Sequence, residues 1–148
     1  MTPTGVLLVK AFESLRLVGY LCPAGKPTCG YGATSATGRA ITVGMTIDRA
    51  TAEKWLAEDL LAYERKVLAA LQASALKLAP SQLDACVSLA YNIGAEAFAK
   101  STLARKIRAG DLDAVPAQFM RWNKVDGVAS KGLTRRRRAE CALWRGDL

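Results

Sequence analysis

Apolar residues recur at helical intervals along most of this chain, and near its start the rhythm breaks. Leu7, Leu8, Phe12 and Leu15 are spaced to share one side of a helix. Thr2-Pro3 supplies an N-cap and a first helical position, so a helix is expected from there to about residue 13. The period then changes. LRLVGYLC and TCGYG read as two short strands around PAGKP, a five-residue loop (residues 23–27) with turn chemistry, hence a hairpin. RAITVG reads as a third strand. Helical spacing returns after Asp48, which caps a long helix over about residues 49–72, with Trp55, Leu56, Leu60, Tyr63, Val67 and Leu71 along one side.

From there on the pattern predicts helices alone. Pro80-Ser81 with Asp84 three residues after the serine has the form of a capping box, and NIG ends that helix. AFAKSTLARKIRAGD reads as one short helix stopped by Gly110, and LDAVPAQFMRW as another. VDGVASKG reads as a loop, and LTRRRRAECALWRG as a last helix stopped by Gly146. The expected fold is α+β in a single domain, residues 1–148. A small N-terminal hairpin lobe, about residues 13–47, is joined by the helix of about 49–72 to an all-helical lobe, about 72–148. A cleft between two lobes is a usual place for a ligand.

Composition narrows the function. A chain of 148 residues suits one domain with its own core. No apolar run approaches the roughly 20 residues of a membrane span. The stretch from Gly5 to Val9 is too short for a signal-peptide core, so synthesis in the cytoplasm is expected. Lys and Arg number 21 against 13 Asp and Glu, a net charge of +8. That excess suggests a polyanionic partner: nucleic acid, a membrane surface or an acidic wall polymer. The cations thicken toward Arg135, Arg136, Arg137 and Arg138, a run that reads equally well as a solvated helix face. Histidine is absent. That excludes Ser-His-Asp and Cys-His nucleophile pairs and histidine-bearing zinc sites.

Glu13 is the only carboxylate before Asp48, and Cys22 and Cys29 follow it. Three readings compete. A metal site is disfavoured: the cysteine spacing exceeds that of zinc knuckles, there is no histidine, and Cys86 and Cys141 lie far off in sequence. A disulfide is disfavoured too. With a loop over 23–27, Cys22 stands beside Thr28 and Cys29 points to the other face, and a cytoplasmic start keeps thiols reduced. Cys86 reads as a small core residue, and Cys141, among charged neighbours, as a surface thiol. The catalytic reading places Glu13 at the C-terminal end of the first helix, where the macrodipole opposes negative charge, with Phe12, Leu15 and Leu17 around it. Alone, Glu13 reads more simply as a solvated helix-end acid. Its alignment with a Cys/Thr pair on a hairpin favours catalysis.

These residues form a familiar order. FESLRLVGYLCPAGKPTCGYGAT resembles the signature of the phage-type lysozymes, the endolysin muramidases: a Glu, an Asp nine residues later, a Thr six further on, then a Gly-rich end. ITVGMTIDRATAEKWLAEDL, LDACVSLAYNIG, FAKSTLARKIRAGD, RWN and GLTRRRRAE match successive later parts of that family. The resemblance implies a lysozyme-like fold with Glu13 as general acid, position 22 as electrostatic or nucleophilic partner, and Thr28 positioning water. It implies that Arg136, or Arg135 as a near-equal match, is the arginine approaching the catalytic acid. It also implies that Tyr91, Asn92, Trp122 and Asn123 line a sugar-binding cleft, although core packing explains Tyr91 and Trp122 as well. Two positions depart from the family pattern. Cys22 stands where Asp is usual, and an ordinary thiol, with a pKa of about 8.5, is mostly neutral at pH 7. Ala33 stands where His is usual, which removes an ion pair.

The function implied is hydrolysis of the β-1,4 bond between N-acetylmuramic acid and N-acetylglucosamine in bacterial peptidoglycan, used by a phage for host lysis. No cofactor or metal, no specific nucleic acid and no membrane span are implied. A monomer made in the host cytoplasm is expected to reach the wall through a holin-made lesion. Two alternatives stay open: an impaired lysozyme fold that only binds the wall, or a basic helical nucleic-acid binder, which explains the charge but not Glu13, the hairpin or Thr28.

Overall fold

The computed structural model describes residues 1–148, the side chain of Ala36 excepted. The chain forms two compact units, Val9–Ala62 and the combination of Met1–Leu8 with Tyr63–Leu148. Helix α1 (Pro3–Phe12) starts as expected: Thr2 Oγ1 accepts the Gly5 N–H at 3.2 Å. It ends where the Glu13 N–H closes on Val9 O at 3.0 Å.

In the Val9–Ala62 unit, β1 (Arg16–Leu21), β2 (Pro27–Gly30) and β3 (Ala33–Thr34) form an antiparallel sheet in that order. The hairpin loop has three residues, not five. Cys22 N–H donates to Lys26 O at 3.0 Å, and Gly25 N–H to Cys22 O at 2.8 Å, with Gly25 at φ +72°. This is the pattern of a turn followed by a left-handed glycine. Thr28 therefore pairs with Tyr20, and Cys22 lies opposite Lys26 rather than Thr28. The shift is by two residues, so the faces are unchanged, because side chains alternate with a period of two.

RAITVG is not a strand; the third strand is at 33–34. Residues 42–47 instead run irregularly along the free edge of β1. Gly19 N–H donates to Met45 O at 2.8 Å, Gly44 N–H to Gly19 O at 2.9 Å and Ile47 N–H to Leu17 O at 2.9 Å. The approach requires glycine at 19, where a Cβ would strike the Thr42 carbonyl. Beneath the sheet Cys29, Ala33 and Ile41 pack with Met45, Ile47 and Trp55. Ala33 thus fills apolar core at the position where the family's usual residue is ionisable. Helix α2 (Arg49–Leu71) starts where Asp48 Oδ1 accepts the Thr51 N–H at 2.7 Å, and it buries Ala52, Leu56 and Leu60 in this unit. Arg39 pairs with Asp59 at 2.6 Å and Glu58 at 2.8 Å and lies over the Trp55 ring, tying the connecting segment to α2.

The other unit is built around α3 (Pro80–Ile93), buried at every residue from Asp84 to Ala90 and packed chiefly against α7 (Lys131–Arg145). The start of α3 differs from the expectation. Pro80 takes the first helical position, so the third is Gln82, whose Oε1 accepts the Ala79 N–H at 3.0 Å; alanine offers no reciprocal acceptor. Asp84 is buried and accepts from the Thr2 N–H and hydroxyl. The segment expected as one helix is two, α4 (Ala95–Lys100) and α5 (Thr102–Arg108). Ser101 breaks it in an extended conformation and caps α5, accepting the Ala104 N–H at 3.1 Å. Helix α6 (Val115–Phe119) runs into a 3-10 turn at Met120–Trp122.

The expected loop VDGVASKG contains a small hairpin, β4 (Lys124–Val125) with β5 (Val128–Ala129). Its turn is Asp126-Gly127, both at positive φ, a recognised hairpin dipeptide. Helix α7 begins with Ser130 capping Leu133 at 3.3 Å and ends at Gly146. The core includes Phe98, Leu103, Ile107, Phe119, Leu143 and Trp144. Cys86 is fully buried, as expected. Cys141 is not the surface thiol its sequence neighbours suggested. It is 7% exposed and its Sγ donates to Pro116 O at 3.2 Å, because Cys141 lies on the side of α7 that packs against α6.

Candidate active site

Glu13, Cys22 and Thr28 all belong to the Val9–Ala62 unit. Glu13 is half-buried, one residue beyond α1. Phe12 and Leu15 beside it are half-buried, while Leu17 is exposed. Cys22 follows the last residue of β1, half-buried, and Thr28 lies in β2, 3% exposed. The two share one sheet face, and Cys29 turns to the other, fully buried with its Sγ 3.5 Å from Arg16 O. All four cysteines are free.

The tight loop surrounds the Cys22 sulfur with donors. The Lys26 N–H is the strongest influence and lowers the thiol pKa below its ordinary value. Burial opposes this, while the Thr28 hydroxyl, the Ala24 N–H and the Lys26 charge reinforce it. Thr28 Oγ1 donates to Lys26 O at 3.0 Å, which holds the hydroxyl beside the hairpin turn. Sequence reasoning missed the part played by Lys26. The signal was present in Gly25, whose left-handed conformation makes a three-residue loop possible.

The remaining sequence-predicted residues, Tyr91, Asn92, Trp122, Asn123, Arg135 and Arg136, belong to the helical unit. Tyr91 packs edge-on against Tyr63, ring centroids 5.2 Å apart. Asn92 is exposed on the last turn of α3. Trp122 lines a pocket of about 450 Å³ with Lys100, Ser101, Thr102, Gln118 and Arg121, apart from Tyr91 and Asn92. Asn123 Nδ2 donates to Thr134 Oγ1 at 3.2 Å and its backbone carbonyl accepts the Ser130 N–H, so it anchors the β4–β5 hairpin to α7. Arg135 is exposed. Arg136 is buried, its Nε 3.3 Å from Glu140 Oε1 and its Nη2 donating to Ser88 O. Arg137, which the sequence reading passed over, is fully buried between Glu140 and Asn92. Its spacing of three from Glu140 was the available signal. Among the described residues no group of three His, Cys, Asp or Glu side chains converges as metal ligands.

Comparison with known proteins places the chain as a whole. Residues 10–140 match the family described as phage lysozyme. The chain is 40% identical to an endolysin of Acyrthosiphon pisum secondary endosymbiont phage 1, across 95% of this chain and 94% of that protein. The fold superposes on the endolysin from Escherichia coli O157:H7 phage FAHEc1 with a TM-score of 0.85 at 32% identity, covering 99% and 94% of the two chains. It superposes on the muramidase domain of SpmX from Asticaccaulis excentricus with a TM-score of 0.84 at 31% identity, covering 97% and 95%.

Proposed function

This chain belongs to the phage lysozyme family, and we propose that it breaks the wall at the β-1,4 bond between N-acetylmuramic acid and N-acetylglucosamine. It is an endolysin-type hydrolase acting on the peptidoglycan of a phage host. One observation carries the glycosidase reading: Cys22, at the position where the family uses a carboxylate, shares one face of the hairpin with Thr28, in the same compact unit as Glu13.

Glu13 in its protonated form gives its proton to the bridging oxygen as the bond to the muramic-acid C1 breaks. Positive charge then develops on the ring, and the Cys22 thiolate opposes it at the site. Water supplies the hydroxyl that ends on C1, and its proton restores Glu13. The hydroxyl of Thr28, next to Cys22, orients that water. Arg136 or Arg135 supports Glu13, and Tyr91, Asn92, Trp122 and Asn123 contact the glycan.

The net charge of +8 draws the protein to the anionic envelope. No helix is long and apolar enough to cross a membrane among the described residues. We infer that a monomer made in the host cytoplasm reaches the wall through a holin-made lesion.

Purified wall incubated with the protein tests the reading. Turbidity should fall, and every new reducing end should be N-acetylmuramic acid. New reducing N-acetylglucosamine or new free amino groups would assign a different bond, and wall binding without cleavage would leave only a binding protein.

A further inference from the structure

Ser88 and Asn92 lie one turn apart on the side of α3 that meets α7, and between them sits a buried charge cluster. Glu140 is fully buried. Its Oε1 accepts the Ser88 hydroxyl at 2.7 Å and the Arg136 Nε at 3.3 Å, and its Oε2 lies 3.0 Å from Arg137 Nε. Arg137 is also fully buried, and its Nη2 reaches out of the cluster to Asn92 Oδ1 at 2.8 Å. One guanidinium thus bridges a buried carboxylate and an exposed amide. Its planar fork makes that possible, since Nε beside the carboxylate and Nη2 at the amide lie in one rigid plane.

This bridge settles which way the Asn92 amide points. A guanidinium has donors only, so the atom facing it must be the carbonyl oxygen. The Nδ2 group, with its two N–H donors, is then turned away from Arg137 on a side chain the structure leaves exposed. A free exposed amide would turn over readily and present donor or acceptor at random; this one presents donors alone.

We propose that Arg137, held by Glu140, is a positioning residue that fixes Asn92 as a donor-only contact for an acceptor oxygen of the glycan chain. The proposal rests on the muramidase reading, which makes Asn92 a sugar-facing residue. Glycan hydroxyls both donate and accept, whereas the acetamido carbonyls of both wall sugars only accept. A donor-only amide therefore selects for the carbonyls and carries no penalty with a hydroxyl that can rotate.

The test is a binding cycle in Glu13→Gln protein, which holds glycan without cleaving it. A soluble, uncrosslinked N-acetylglucosamine–N-acetylmuramic acid oligomer is titrated by calorimetry. Asn92→Asp keeps an acceptor for Arg137 and removes both donors, and it should weaken binding about tenfold, the size of a lost hydrogen bond. Arg137→Lys keeps a cation for Glu140 but lacks the second arm. It should weaken binding severalfold with Asn92 present, and no further once Asn92→Asp has been made. A purely structural role for Arg137 would weaken both backgrounds equally and overturn the positioning claim. Unweakened binding in Asn92→Asp sinks the inference alone, and that arm needs no change in the buried pair, so it decides even if Arg137→Lys fails to fold. If the Glu13→Gln parent binds no glycan, the muramidase reading fails and the inference with it.

Discussion

The Thr28 hydroxyl helps hold the Cys22 thiol below its ordinary pKa from the same face of the hairpin, although the two residues are not paired: Thr28 pairs with Tyr20, and Cys22 lies across from Lys26. The relationship is diagonal, and it exists because the loop is short. With three loop residues, the Lys26 amide also reaches the sulfur. The chain thus favours an anion at position 22 by backbone geometry rather than by an intrinsically acidic side chain.

Native alkylation reads this directly. Cys29, Cys86 and Cys141 are buried, so iodoacetamide should place a single adduct, at Cys22. Its pKa is lowered, so the reactive thiolate should form at a lower pH than in a free cysteine peptide. Thr28→Val removes a donor and should move the midpoint up. A rate that titrates at or above the peptide value would contradict the donor arrangement.

Substitution at position 22 separates charge from sulfur chemistry. Cys22→Asp should retain or raise wall lysis, because a carboxylate is ionised at neutral pH without help. Cys22→Ala should lower it, and alkylation should inactivate the native protein and spare Cys22→Asp. Full activity in Cys22→Ala would remove the thiol from the mechanism.

Glu13→Gln should abolish lysis, by the ~10²–10⁴-fold typical of a lost general acid, with an unchanged thermal midpoint. The replacement is nearly isosteric with Glu13, so the variant should fold as the native chain does. Near-native turbidity clearance by this variant would show that another group donates the proton.

Two glycines in the hairpin lobe should fail differently. Gly19→Ala drives a methyl into the Thr42 carbonyl and should cost roughly 1–3 kcal/mol, the usual range for overpacking. Gly25→Ala meets nothing within 4 Å but keeps a left-handed backbone, and should cost about 1–2 kcal/mol. Denaturant melts of both variants check the values. Only Gly25→Ala should also move the Cys22 alkylation midpoint, since it alone disturbs the loop.

The sequence by itself determined the elements whose signals are local. Thr2 and Asp48 cap helices because their side chains reach amides two or three residues on, and Leu56, Leu60, Val67 and Leu71 are buried because helical spacing puts them on one side. The face shared by Cys22 and Thr28 was legible for the same reason. A period of two survives a two-residue error in register, so the wrong loop length still gave the right neighbours.

What depends on contacts remote in sequence was settled only by the tertiary structure. Residues 42–47 follow β1 without forming a strand because Gly19 admits them at that edge. Cys141 is buried because Pro116 lies against it, whatever charges flank it in the chain. In a run of four arginines, helical rotation brings Arg136 and Arg137 onto the buried side and leaves Arg135 and Arg138 exposed. That choice is made by the α3 surface bearing Ser88 and Asn92, because a buried guanidinium is tolerated only where acceptors await it.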